Sequence, residues 1–195
     1  MNLIDRVKNI LITPKTEWDV IESETTNPQT LLMGYVLPLA VMATAGTFLQ
    51  GLLFPGLSSF KFYIATAVVV FLTQAISFYI STYIIDALAT SFGSEKDINK
   101  SAQLVAYSGT PSYIAGLLSF IPVIGSLLSV AAWVYGIYLM YLGIGPLKKS
   151  PEDKKIVYMI VSYLIIIVVY FILAAVLGLV FFASFGLSGM KGMAL

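Results

Sequence analysis

The chain has 195 residues, of which 58% are hydrophobic and 11% are charged, whereas soluble domains carry roughly 25% charged residues. Its 11 basic and 10 acidic residues nearly balance, so no basic field for nucleic acid exists. Cysteine and histidine are both absent. This composition excludes disulfides, Cys/His metal sites and nucleophile–histidine catalysis, and it favours one membrane-embedded domain.

Four long stretches contain no Lys, Arg, Asp or Glu, and the longest, Ser101–Leu147, has 47 residues. At ~1.5 Å per residue a helix of this length reaches about 70 Å, over twice the ~30 Å hydrocarbon core, so it must cross twice. The apolar runs are continuous rather than alternating, which predicts helices instead of a barrel. The other runs are Thr25–Phe60, Phe62–Ile85 and Ile156–Met190. The predicted fold is all-α: a polytopic membrane protein with a bundle of five transmembrane helices.

Residues 1–26 are predicted to form an arm of short amphipathic helices at the membrane interface. Thr13 and Pro14 form an N-cap pair that opens the second helix, in which Trp18 and Ile21 share a face. The arm is interpreted as an anchor beneath the bundle, with a surface for a partner as the alternative. The first helix repeats Leu3, Ile4, Val7, Ile10 and Leu11 on its apolar side, with Asp5, Arg6, Lys8 and Asn9 opposite.

The transmembrane domain is predicted over residues 27–190. Asn27 and Pro28 open the first helix, Phe54-Pro55-Gly56 ends it, and Ser150-Pro151-Glu152 opens the last. The predicted crossings are about 31–53, 62–89, 101–119, 122–145 and 156–183, and residues 191–195 form a short external tail.

The positive charges predict the orientation of this bundle. With five crossings, nine of the eleven Lys and Arg residues fall on the face that receives the N-terminus and the 2–3 and 4–5 loops. Only Lys61 and Lys191 fall on the other face. The positive-inside rule therefore predicts a cytoplasmic N-terminus and an external C-terminus in the cell membrane.

Asp86 is the ionisable residue inside an apolar run, and such an acid is a functional candidate. It shares a helix face with Thr82 and Thr90 near the predicted cytoplasmic end. We expect it to reach water or to pair with Lys96 or Lys100, with ion coupling as the alternative.

Pro111 is predicted to bend the third crossing, because it removes a backbone hydrogen bond two residues after Gly109. The bend is expected to turn Tyr107 toward the bundle interior. Gln74 and Gln103 are interpreted as partners in hydrogen bonds between helices, or as part of a polar path.

Small residues spaced four apart are predicted to let helices 3 and 4 approach closely, and a pore lined by small side chains is the alternative. They are Ser108, Ser112 and Gly116, then Gly125 and Ser129, then Ala132 and Gly136, with Ala174 and Gly178 in the last run. No paired acids and no glycine-rich phosphate loop occur, so we predict neither catalytic nor cofactor-binding nor metal-binding residues.

Several segments of the chain together follow a recognisable family pattern. They are Arg6–Leu11 with Pro14 and Trp18, Gly34–Leu39, Ala106–Pro111, Ile121-Pro122 with Tyr138–Gly143, and Lys148, Pro151, Asp153, Lys154 and Tyr158. In these segments the chain resembles the Yip1-domain family of small polytopic membrane proteins, in its prokaryotic form. The resemblance extends over nearly the whole chain and implies five helices with a cytosolic N-terminus.

Eukaryotic relatives resemble adaptors that bind small GTPases and one another. For this chain the resemblance implies a non-enzymatic membrane scaffold or adaptor, with the bilayer, other membrane proteins or further copies of itself as partners. The alternative is an oligomeric channel or transporter for small solutes or ions, in which Asp86, Gln74, Gln103 and Tyr107 line the path.

Overall fold

The computed structural model describes residues 2–54 and 60–191, and every regular element in these ranges is helical. The all-α prediction is confirmed for this part of the chain. Short 3₁₀ turns extend two of the helices, at Thr90–Phe92 and Leu118–Phe120. The helices are α1 (Leu3–Ile12), α2 (Pro14–Ser23), α3 (Pro28–Leu53), α4 (Phe60–Ala89), α5 (Ile98–Ser108), α6 (Thr110–Leu117), α7 (Pro122–Lys148) and α8 (Glu152–Lys191).

Side-chain caps define where several helices begin. Asn2 Oδ1 accepts the amide hydrogen of Asp5 at 2.8 Å, and Asn27 Oδ1 accepts that of Thr30 at 2.8 Å. Asp97 caps α5 in the same way. Because these caps satisfy amides that lack a partner in the first helical turn, the chain enters each helix at a defined residue.

Helix α3 contains a wide π turn over Leu32–Val36, in which Leu37 N–H donates to Leu32 O. Pro38 follows directly, and its ring would crowd the carbonyl one turn back in a regular helix. The turn leaves Tyr35 and Val36 buried, so it directs an aromatic side chain into the bundle.

Four helices are long and apolar enough to cross a membrane: Pro28–Leu53, Thr66–Phe92, Val123–Lys148 and Glu152–Leu177. The segment predicted as a further crossing, 101–119, is divided at Gly109 into α5 and α6, and neither piece is long enough by itself. The predicted turn at Phe54-Pro55-Gly56 lies partly outside the described residues.

The first of these four helices lies deepest in the bundle. In its most apolar 18-residue window 44% of the residues are buried, against 6% in the last helix. Helix α3 packs against α4 and α6, α4 packs against α5 and α8, and α7 packs against α2, α5 and α6. Helix α8 therefore lies at the rim, and α3 lies at the centre.

The connections α4–α5 and α7–α8 meet at one end of the bundle, which we call the charged end (residues 93–97 and 149–151). There Glu95 N–H donates to Lys148 O at 2.8 Å. Gly93 has a left-handed conformation with φ of 70°, which glycine adopts without strain and which reverses the chain after α4.

Candidate functional site

The N-terminal helices are held together by a buried ionic cluster around Arg6. Its guanidinium binds the carboxylates of Glu17 and Glu24, and Arg6 and Glu17 are each only 4% exposed. The prediction that Arg6 lies on the polar side of α1 was wrong. Arg6 shares its face with the buried Ile10, one turn further on. A buried charge is stable only when paired, so α2 must supply the acids.

Arg6 also joins the arm to the break between α5 and α6. Its Cζ lies 5.1 Å from the centre of the Tyr107 ring, a cation–π distance. The same ring packs edge-on against Tyr35 at 4.8 Å and against Trp18 at 6.3 Å. Three parts of the chain, namely the arm, α3 and α5, therefore meet at one aromatic side chain.

Thr110 satisfies the backbone carbonyl that Pro111 leaves without an amide partner. Pro111 cannot donate to Tyr107 O, and the Thr110 hydroxyl donates to it instead, at 2.7 Å. Because this uses the only hydrogen of that hydroxyl, Tyr35 Oη donates to Thr110 Oγ1, also at 2.7 Å. The proline break and the aromatic contact are thus one hydrogen-bonded unit.

The segment after α2 is fixed by two side chains of α5. Lys100 Nζ donates to the carbonyls of Glu22 and Glu24, at 2.5 and 3.0 Å. Gln103 Nε2 donates to Ile21 O at 3.3 Å and to Glu24 O at 3.2 Å. Gln103 was predicted to form hydrogen bonds between membrane helices, and in the structure it binds the backbone of the N-terminal arm instead.

Asp86 forms a second buried ionic cluster at the charged end. Its carboxylate lies 3.4 Å from Lys148 Nζ and accepts from the Ser101 hydroxyl at 3.2 Å. Lys148 is 0% exposed and also donates to Ser101 Oγ and Asp97 O. The expected partners Lys96 and Lys100 were wrong, because the end of α7, and not the start of α5, brings its lysine against α4.

These ion pairs join residues on different helices, so the pattern within one helix does not predict them. Asp86 and Lys148 are 62 residues apart, and a helical pattern reports only which residues share one helix face. One signal was present for Lys148. It directly follows the charge-free run Ser101–Leu147, so its ammonium group is forced to find an anion near the end of a membrane-length helix.

The small residues predicted as one seam lie at three different contacts. A Cβ at Gly136 would come within 3.0 Å of Ser108 O, so α7 and α5 do approach closely there. Gly116 instead faces α3, where a Cβ would lie 2.8 Å from Ala43 Cβ. Gly125 lies against Ser119 in the turn before α7.

Three of the remaining positions in that set have other surroundings. The Ser129 hydroxyl donates to Gly125 O within α7, Ala132 is buried, and Ser112 borders the cavity described next. The side chains of Ala174 and Gly178 are outside the described residues.

A cavity of about 860 Å³ lies between α4, α5, α6, α7 and α8. Of the polar candidates, Gln74 borders it, whereas the described contacts of Asp86, Gln103 and Tyr107 lie in the two clusters at and near the charged end. None of the described lining residues is charged. They are Thr66, Val69, Val70, Thr73, Gln74, Ser77, Phe78, Ser81, Val105, Gly109, Ser112, Tyr113, Trp133, Tyr163, Ile166, Ile167, Tyr170 and Phe171.

The described part of the chain holds no group of three or more Asp or Glu residues placed to bind a metal ion. Its buried carboxylates are engaged by Arg6 and by Lys148. The chemistry available at these clusters is therefore ion pairing that joins helices to one another.

Several apolar membrane-length helices, two of which are joined by the buried ion pair of Asp86 and Lys148, define an integral membrane protein. The family model of the Yip1 domain matches residues 8–175, which is most of the chain. The chain therefore belongs to the Yip1-domain family, and the resemblance seen in the sequence is confirmed. No curated protein and no solved structure shows significant similarity to it.

Proposed function

We propose that this protein is a non-enzymatic membrane scaffold or adaptor whose helix α8 is the surface that meets other membrane proteins or further copies of itself. The observation that carries the proposal is the position of α8 at the rim, with only 6% of its membrane-length window buried. Large apolar side chains along it are more than half exposed, among them Leu164, Val168 and Val176. Membership of a generally non-enzymatic family supports the same function.

The proposed topology has five crossings, with α5 and α6 together forming the third. The contact between Glu95 and Lys148 supports it, because residues 95 and 148 then lie at the same end. Helix α7 runs the full length of the bundle to reach Lys148, so the chain must first travel the opposite way through α5 and α6. The charge distribution then places the charged end and the arm in the cytoplasm, and the C-terminus outside.

Photo-crosslinking in native membranes tests the adaptor function. A photoreactive amino acid at Leu164 or Val168 of α8 is expected to give protein adducts of discrete mass. The same residue at Val130 of α7, which is 64% exposed against 57% for Leu164 and Val168, controls for exposure alone and is expected to give lipid adducts. A bulky Leu164→Trp change should remove the adducts formed at Val168, because it disturbs the packing face one turn away. Lipid adducts alone at both α8 positions would refute the proposal.

The second candidate, a permeation protein, is supported by one observation, the presence of Gln74 at the cavity. Asp86 and Lys148 neutralise each other at the charged end, and Tyr107 packs between the arm and α3. The adaptor function is favoured because these side chains are engaged in structural contacts, whereas residues that line a permeation path must be available to the passing solute.

A further inference from the structure

The cavity has one wall of hydroxyl groups within the membrane-spanning part of the bundle. Thr73, Ser77 and Ser81 follow one another at four-residue spacing on α4, so they share a face. Ser77 lies 15 residues before Phe92, the end of the turn after α4, and hence about 22 Å from the charged end. This depth is well inside a ~30 Å hydrocarbon layer.

The hydroxyl groups of this wall differ in their hydrogen bonding. Thr73 Oγ1 donates to Val69 O at 2.7 Å, which satisfies it within α4. The Ser77 hydroxyl is buried and has no hydrogen-bond partner in the described structure. A polar group in an apolar layer costs free energy unless something bonds to it. A hydrogen-bonding group inside the cavity would satisfy the Ser77 hydroxyl.

The remaining lining determines what kind of molecule brings that group. The described lining residues are uncharged, so an ionic head group finds no counter-charge there. Aromatic and branched apolar side chains make up most of the other walls, and the volume is in the range of small-molecule sites. Trp133 and Phe171 border the cavity and are 50% and 67% exposed, so it opens to the lipid side.

We propose that this cavity binds a neutral lipid, a molecule with a long apolar chain and an uncharged hydroxyl or carbonyl group that reaches Ser77 and Gln74. The apolar chain lies along Tyr163, Ile166 and Trp133, and the polar group bonds to α4. The ligand enters from the bilayer, past Trp133. The cavity is bordered by Tyr163 and Ile166 of α8, whereas the proposed partner surface on the same helix carries Leu164 and Val168.

Quenching of tryptophan fluorescence tests the site, because the chain has two tryptophans and only Trp133 borders the cavity. The purified full chain in liposomes is titrated with a long-chain alcohol brominated along its chain, and separately with a phosphatidylglycerol carrying the same brominated chain. At low mole fraction the alcohol is expected to quench more strongly than the phospholipid. Trp133→Phe should abolish the excess quenching, since Trp18 is 1% exposed within the core. Equal quenching by both probes, or none by the alcohol, would overturn the proposal.

Serine variants test whether the polar group of the ligand bonds to Ser77 or whether only the apolar tail of the ligand enters the cavity. Ser77→Ala should raise the alcohol concentration for half-maximal quenching about fivefold, equivalent to about 1 kcal/mol for one hydrogen bond. Ser162→Ala is the matched control, because Ser162 also has a buried hydroxyl without a partner in the described structure but does not border the cavity. It should leave quenching unchanged. An identical effect of the two variants would refute the hydrogen bond to Ser77, and so would no effect of either.

Ser77→Leu adds a test that does not depend on a hydrogen bond. Its larger side chain fills the polar side of the cavity, so the excess quenching by the alcohol should disappear while the protein elutes as the unaltered chain does. If a helix of a second copy occupied the cavity instead, the alcohol would give no excess quenching and Ser77→Leu would change the oligomeric state.

Discussion

The guanidinium of Arg6 is shared between two carboxylates and one aromatic ring, and this explains why a cation lies buried in α1. Glu17 is as buried as Arg6, whereas the Glu24 side chain is 33% exposed. Removal of the cation therefore leaves at least one acid without compensation in a buried place. Breaking such a pair costs more than the pair contributes.

Arg6→Gln is expected to destabilise the folded protein by about 3–5 kcal/mol, because Glu17 loses its counter-charge in the core. The measurement is the free energy of unfolding in mixed detergent micelles, together with the rate at which a protease cleaves within residues 1–26. Lys8→Gln, an exposed cation on the same helix, should change neither quantity. Equal stability of the two variants would show that the arm is not held by this cluster.

Asp86→Asn is expected to lower stability rather than to abolish an activity, because it leaves Lys148 fully buried beside a neutral amide. The expected loss is about 3 kcal/mol, and the double change Asp86→Asn with Lys148→Met should recover part of it, since the unpaired charge is then removed. Flux assays in liposomes check the alternative. A reproducible ion-driven flux of the unaltered protein that Asp86→Asn eliminates would favour a permeation protein over an adaptor.

At the scale of elements, helix positions were predictable from local pattern. The crossing predicted at about 62–89 is found within the helix Phe60–Ala89, because apolar runs and terminal caps fix a membrane helix locally. The helices against which each helix packs could not be predicted from local pattern. Gly116 and Ser108 belong to the same four-residue pattern, yet they face α3 and α7 respectively. The spacing of small residues predicts a close helix contact but does not identify the partner helix.

Gly116→Val tests the contact between α6 and α3. Its added side chain meets Ala43 Cβ at less than normal contact distance, and Gly46 on α3 lies against the Gly116 carbonyl. Overpacking of this kind costs about 1–3 kcal/mol. The measurement is unfolding in mixed micelles.

Gly34→Ala is the matched control for this change. A Cβ at Gly34 meets nothing within 4 Å, so the change should not lower the free energy of unfolding, and alanine favours the helix over glycine by up to about 1 kcal/mol. Equal effects of the two variants would mean that α6 does not pack against α3 in the membrane.

At the scale of the whole molecule, the proposed third crossing, formed by α5 and α6, decides between four crossings and five. Four helices qualify as spans by length and hydropathy, whereas α5 and α6, divided at Gly109, do not. If α5 and α6 stayed on one side of the membrane, the start of α7 would lie beside residues 93–97. Instead the end of α7 lies there. Broken helices are tolerated in membranes where neighbours satisfy the freed backbone groups, as Thr110 does for the Tyr107 carbonyl.

Reporter fusions test this topology. Alkaline phosphatase, active only outside the cytoplasm, should be active when fused after Ser119 or after Leu195 and inactive when fused after Phe92 or after Lys149. A fluorescent protein that matures in the cytoplasm should give the complementary result at each site. The four sites separate the alternatives, because a chain in which α5 and α6 do not cross would place residues 92 and 119 on the same side. Phosphatase activity after Phe92, or fluorescence after Leu195, would contradict five crossings with a cytoplasmic N-terminus, since each crossing reverses the side and the positive charges favour the cytoplasm.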